Sequence, residues 1–414
     1  MVRPTFSQAI IGHKKFIKKM NSNVIRRKLY NQIKNNKIKI GSCTENFGAK
    51  SKTKFQRLFN RKEKIEVNEN GKYEKIYGRI ELSKTSEVAR LCIDAGCKKK
   101  AIVKINPVFL NHNRTPNFSN SYKKASEYNP SIVEIKITKL LTEKIVFKNY
   151  TPNITMYYTS FRCNDTTEIF KKNYGYNYLL KKKIIGPDID VLIAEFVQGE
   201  DFYGYIKKYC RKDDMECFYK LKSLLFQVII TLAILQDAFE FVHYDLHGGN
   251  VLIDTTKTPG GYWEYNAFGK KFHVPNLGVQ SKLWDFDFSA TFKKEIIKNA
   301  KIFDGSFKKS GVVNKFNPWW DIFLFLGAIM DPSSSASRHV PNELIAFYND
   351  IIPIDLRSGR NVPGRLWQGR ILEPEKEALL TPREMLDHPF FADYTIKQTD
   401  IIKPIYKYPN SKKK

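Results

Sequence analysis

Residues 219 to 242, YKLKSLLFQVIITLAILQDAFEFV, place apolar side chains on nearly every face of a helix and carry no charge between Lys222 and Asp237. A helix that is apolar all round has no face to offer water and must be enclosed, by protein or by a membrane. Its most apolar stretch, SLLFQVIITLAIL at 223 to 235, is too short to cross a bilayer, so no membrane span is expected. The chain must instead build a large lobe around it, and 414 residues with 42% apolar content suffice for that. The N-terminus shows no apolar core of signal type.

Upstream of this helix the pattern is different. YEKIYGRIEL (73 to 82), VARLCID (88 to 94), AIVKINPVFL (101 to 110), ITMYYTSF (154 to 161) and DVLIAEFV (190 to 197) read as strands. SIVEIKITKLLTEKIVF (131 to 147) has Ile137, Leu140, Leu141 and Ile145 at helical spacing. The expected class is α+β and bilobal: a small antiparallel-sheet lobe with one main helix at 69–195, then a larger, mainly helical lobe at 196–396. Within the second lobe, YWEYNA, a turn at Gly269 and KKFHV predict a β-hairpin insert over about 256–280. Residues 1–68 form a basic extension and 397–414 a basic tail.

The 70 Lys and Arg against 42 Asp and Glu leave a net charge of +28. Such an excess attracts polyanions, so acidic protein partners are expected, and residues 1–68 read either as a solvated basic arm or as a nucleic-acid-binding segment. The six cysteines form no C-x-x-C pair, and reduced intracellular thiols in a soluble protein are the expectation.

Four polar residues fall on these elements in a fixed order: Lys104 on the third strand, Asp245 and Asn250 in HYDLHGGN after the buried helix, and Asp285 in WDFDFS at a strand end. The set resembles the protein-kinase superfamily, with its strand lysine, its catalytic loop H-R-D-x-x-x-x-N and its D-F-G element. DVLIAEFVQGED resembles the passage from strand to hinge, Asp321 in WWDIFLFL the buried aspartate beneath the catalytic loop, and TPREMLDHPFF the closing helix. The hairpin insert, with HYDLHGGN, DFD and VEIKITKLL, is most similar to serine/threonine kinases of large nucleocytoplasmic DNA viruses of the giant-virus and asfarvirus type.

The resemblance implies ATP and Mg²⁺ as cofactors, protein substrates, a monomer, and action in host cytoplasm with packaging into the virion. It makes Asp245 the base, and Asn250 and Asp285 the metal ligands. Lys104 would contact the phosphates, held by a helical carboxylate. Glu134 and Glu143 compete for that task, and Glu134 is favoured because it shares a face with Ile137, Leu141 and Ile145. The backbone of Glu195 and Val197 would meet the adenine, Asp201 the ribose, and Ser83, Ser86 and Val88 the rest of the nucleotide.

Departures from the family pattern leave alternatives open. ELSKTSEV (81 to 88) has no glycine to close over phosphates, which leaves room for a catalytically silent scaffold. His247, at a position that is usually lysine and touches the γ-phosphate, leaves room for a small-molecule or lipid acceptor. Asp287 replaces the D-F-G glycine and could approach the metal. Tyr244 replaces the arginine that pairs with a phosphorylated activation loop, so a constitutively arranged site is expected.

Overall fold

The computed structural model describes residues 26–27, 30–31, 87–91, 99–109, 130–164, 167, 180–181, 183, 185–299, 302, 315–354 and 379–409. The strand expected at 73 to 82 lies outside them. Four antiparallel strands, β1 (Glu87–Leu91), β2 (Lys99–Phe109), β3 (Tyr157–Cys163) and β4 (Ile185–Glu195), make one sheet in the order β1-β2-β4-β3. With the helices below, this gives an α+β fold.

Helix α1 (Pro130–Leu141) lies against this sheet. Val133, Ile137 and Leu141 have no exposed surface, while Lys136 and Lys139 are exposed, so the apolar stripe faces inward. The helix runs on into a π turn (Thr142–Val146), where the Thr142 hydroxyl accepts the Tyr157 N–H at 2.8 Å. That bond seats the end of the helix on β3.

After the short helix α2 (Phe202–Tyr209) comes α3 (Met215–Phe239), capped by Asp214, whose side chain accepts the Cys217 N–H. By length and composition alone this 25-residue helix would pass for a membrane span, unlike the shorter apolar run inside it. Here it is the core helix: Leu221, Leu224, Phe226, Ile229 and Ile230 are fully buried. Glu240 ends it in the left-handed region (φ 49°), turning the chain into β5 (Phe241–Val242).

β6 (Val251–Asp254) pairs antiparallel with β9 (Gln280–Leu283), and between them stands the hairpin of β7 (Tyr262–Ala267) and β8 (Lys270–Pro275). Its turn has positive φ at Phe268 (55°) and Gly269 (80°), which matches the right-handed twist of the strands it joins. β10 (Ala290–Thr291) pairs with β5. Helices α4 (Trp320–Met330), α5 (Asn342–Ile351) and α6 (Pro382–Met385) follow. α6 opens with a capping box between Thr381 and Glu384, and the HPFF stretch after it buries Phe391 against Phe226.

Three regions differ from the sequence expectation. Arg26 and Tyr30, inside the expected basic extension, are buried against the body of the protein. Residues Ile401–Lys407, inside the expected basic tail, form β11, which adds parallel to β7; alternate pairing rather than charge decides that segment, and Tyr406 is buried. Finally, Cys210 and Cys217 are joined in a disulfide where reduced thiols were expected. The turn between α2 and α3 brings their Cα atoms to 5.4 Å, a proximity set by tertiary structure and invisible in the spacing.

Candidate active site

The loop after β5 is positioned by hydrogen bonds to buried groups. Asp321, fully buried on the first turn of α4, accepts the N–H of His243 at 2.7 Å and of Tyr244 at 2.9 Å, one on each carboxyl oxygen. Burial pushes the Asp321 carboxyl up to about 7, against the pull of these two bonds. Trp320 donates its indole N–H to the Tyr244 carbonyl at 3.1 Å, and the Tyr244 hydroxyl reaches the Lys315 carbonyl. Tyr244 adopts a positive φ (65°), a conformation a bulky residue holds only when its surroundings fix it. His243 is buried, with Nε2 at 2.9 Å from the Trp284 carbonyl.

This bracing presents Asp245, Asn250 and His247 together. Asn250 donates its side-chain N–H to the Asp245 carbonyl at 2.8 Å and approaches Asp245 Oδ2 at 3.3 Å. His247 Nδ1 accepts the Gly249 N–H at 3.0 Å, which leaves Nε2 as the protonated nitrogen of the neutral ring, 3.8 Å from Asp245 Oδ2. The imidazole stacks on Tyr203 at 6.2 Å between centroids. Gly248 is required here, since a Cβ would lie 2.7 Å from the Tyr203 ring.

A second group is held by charge. Lys104 on β2, paired with Leu192 of β4, places Nζ 2.8 Å from Glu134 Oε1 and 2.5 Å from Asp285 Oδ1. Glu134, on the buried face of α1, is the carboxylate that reaches it; Glu143 accepts instead from the Tyr30 hydroxyl at 2.7 Å. Burial lowers the Lys104 pKa, but the charges of Asp285, Glu134 and Asp287 outweigh it and hold the ammonium above its ordinary value. Glu134 is pushed up by burial and by the neighbouring Asp285 and Asp287, against the pull of Lys104. Asp285 has φ 63°, so the chain turns sharply where β9 ends.

The two groups meet through a ladder. Val251 pairs with Leu283, and the Trp284 N–H donates to the Asn250 carbonyl at 3.0 Å, so Asn250 and Asp285 leave neighbouring strand ends. Asn250 spends its N–H groups on Asp245, which leaves its amide oxygen as an acceptor. That oxygen and the Asp285 carboxylate are hard donors of the kind Mg²⁺ takes when phosphates and waters supply the rest. No cluster of three or more His, Cys, Asp or Glu suited to a metal stands among the described residues, so the donor set fits such a shared site and not an all-protein cage.

The other expected residues are dispersed. Asp201 caps α2, accepting the Gly204 N–H at 2.7 Å, and its backbone bridges Leu252. Glu195 gives its N–H to the Met156 carbonyl at 2.8 Å, so that N–H is already taken, and Val197 follows in the segment after β4. Val88 lies on β1 opposite Ile102. Ser83 and Ser86 lie outside the described residues. Sequence reasoning missed Arg26, Lys282 and Tyr203. The first sat within a run of like charges, and the other two had no spacing to mark them.

No family model matches the chain. Two proteins of Acanthamoeba polyphaga mimivirus, both named as serine/threonine-protein kinases, are similar to it. One is 26% identical over 298 residues, covering 66% of this chain and 61% of the relative; the other is 28% identical over 241 residues, covering 48% and 59%. This chain is a relative of the protein-kinase-like proteins of large DNA viruses. An Arabidopsis thaliana protein named as a homolog of the serine/threonine-protein kinase haspin is also similar, at 26% over 209 residues, covering 49% of this chain and 34% of its own length. The chain thus matches about 60% of the length of its mimivirus relatives.

Proposed function

We propose that this protein is a serine/threonine protein kinase of the bilobal kind, taking ATP with Mg²⁺ in the cleft between its sheet and its helical part. The observation that carries the reading is the convergence of Lys104, Glu134 and Asp285 on one ion-paired cluster beside the braced Asp245 and Asn250. The names of the mimivirus relatives support the acceptor class and protein substrates; action in host cytoplasm is part of the proposal.

In this reading Asp245 orients the acceptor hydroxyl and accepts its proton as the new ester bond forms. Lys104 binds the phosphates, and Glu134 keeps its ammonium aimed at them. Asn250 and Asp285 would hold Mg²⁺, which would supply positive charge to offset that of the phosphates. His247 donates from Nε2 towards the transferred group. Tyr244 is packed and hydrogen-bonded where an arginine would await a phosphorylated loop, so Asp245 needs no such modification to be in place.

The test is transfer of the γ-phosphate of labelled ATP to a panel of proteins and peptides with Mg²⁺. Labelling of Ser and Thr by the wild-type chain and loss of labelling with Asp245→Asn are expected. Equal labelling by both proteins, or labelling by neither, contradicts the reading.

A further inference from the structure

Arg26 comes from a segment with the composition of a solvated basic arm, yet its side chain is 7% exposed and is held through its terminal nitrogens. Its guanidinium donates to the Pro152 carbonyl at 3.2 Å, to the Ile154 carbonyl at 2.6 Å and to Glu195 Oε2 at 2.6 Å. The same carboxyl oxygen accepts the Met156 N–H at 3.1 Å, while the Glu195 N–H goes to the Met156 carbonyl. One side chain therefore ties the segment before β3 to the last residue of β4, and Glu195 in turn holds Met156 beside the start of β3.

The location of that last residue gives the tie its meaning. Glu195 ends β4, and its successors Phe196 to Gln198 lead into α2 and the Asp201 cap. On the other side of the cluster, Lys282 of β9 donates to the same Pro152 carbonyl at 2.6 Å, three residues before Asp285. Four residues after Arg26, Tyr30 is bonded to Glu143 and packed edge-on against Phe147, at the end of the helix that carries Glu134. Burial works against a charged Glu195, but the charges of Arg26 and Lys282 and the bonds from Arg26 and Met156 outweigh it and hold the carboxyl below its ordinary range. Without Arg26 a buried carboxylate would lose its main partner at the point where the chain turns from β4 towards α2.

We infer that Arg26 is a positioning residue for the nucleotide: it fixes the β4 exit, and with it the backbone that meets the adenine, by clamping Glu195 to the segment before β3. The inference rests on the kinase reading, which places the nucleotide at the β4 exit. A consequence is that this part of the basic segment belongs to the catalytic body and is not available to a polyanion.

The experiment uses the full chain and three variants: Arg26→Gln, Arg26→Lys and, as a control that loses the same charge from an exposed position of α1, Lys139→Gln. Binding of ATP with Mg²⁺ is followed by titration, and kcat and KM for ATP by phosphate transfer. Arg26→Gln and Arg26→Lys should raise both the Kd and the KM for ATP about fivefold or more with kcat within about twofold, because a lysine cannot reach three acceptors in one plane. Lys139→Gln should change neither. If Arg26→Gln fails to fold, Arg26→Lys, which keeps the charge, decides the matter alone. Wild-type ATP affinity in Arg26→Lys, or a fall in thermal stability with Kd and KM unchanged, overturns the inference and leaves the kinase reading standing. A wild-type chain that binds no ATP removes that reading and the inference with it.

Discussion

Lys104 and Lys282 are both strand lysines taken out of water, and they are held in opposite ways. Lys104 stands among carboxylates: Glu134 and Asp285 touch it and Asp287 adds its charge, so the ammonium is favoured despite burial. Lys282, 2% exposed, meets a carbonyl oxygen, and burial together with the nearby Arg26 lowers its pKa well below the ordinary lysine value in spite of Glu195. The first arrangement holds a fixed cation, which the proposed kinase would turn to an anionic ligand. The second uses the amine as a hydrogen-bond donor that holds a loop. Burial alone does not mark a lysine as functional; the charges facing it do.

The largest expected effect comes from breaking the first arrangement. Lys104→Met should lower phosphate transfer by about 10²–10³-fold, the usual cost of losing one preorganised electrostatic contact, and should also lower the thermal midpoint, because buried Glu134 loses its ion-pair partner. Transfer kinetics and a melting curve check both halves.

An intermediate effect belongs to His243, a buried base whose protonation burial opposes. Burial drives its pKa down to about 4 from an unfolded value near 6.5. The unfolded chain takes up a proton that the folded chain refuses, so stability is complete above about pH 6.5 and falls as pH drops towards 4, by up to about 3 kcal/mol. Urea unfolding of wild type and His243→Gln at pH 7 and pH 4 should show a smaller pH increment in the variant.

The smallest effect should come from Lys282→Met. A methionine fills similar volume, and Arg26 still serves the Pro152 carbonyl, so the cost should stay below about 1 kcal/mol. A loss comparable to that expected from acidification would show that the Lys282 charge does more than hold the loop.

Much of the site could be read in the sequence because its parts are local patterns. The five-residue step from Asp245 to Asn250, the strand bearing Lys104 and the buried Asp321 each sit on an element whose periodicity is plain. Glu134 could be preferred over Glu143 because burial follows the α1 stripe, and the structure puts Glu134 beside Lys104. What could not be read depends on long-range contact. Arg26 meets Glu195 across 169 positions, and within IRRKLYNQIK it has the signature of a solvated charge run. The same holds for β11, whose pairing with β7 is set by an edge that the hairpin creates. Composition describes such segments only until a partner surface claims them.

The central claim is that Asp245 does chemistry while its surroundings merely hold it. The most direct measurement is the single-turnover rate of γ-phosphate transfer by Asp245→Asn at saturating ATP and Mg²⁺, with ATP affinity measured on the same protein. If Asp245 is the base, the rate falls about 10²–10⁴-fold with ATP affinity and thermal stability near wild type, the range expected for losing a general base. An unchanged rate, or a loss explained wholly by weaker ATP binding, would contradict it.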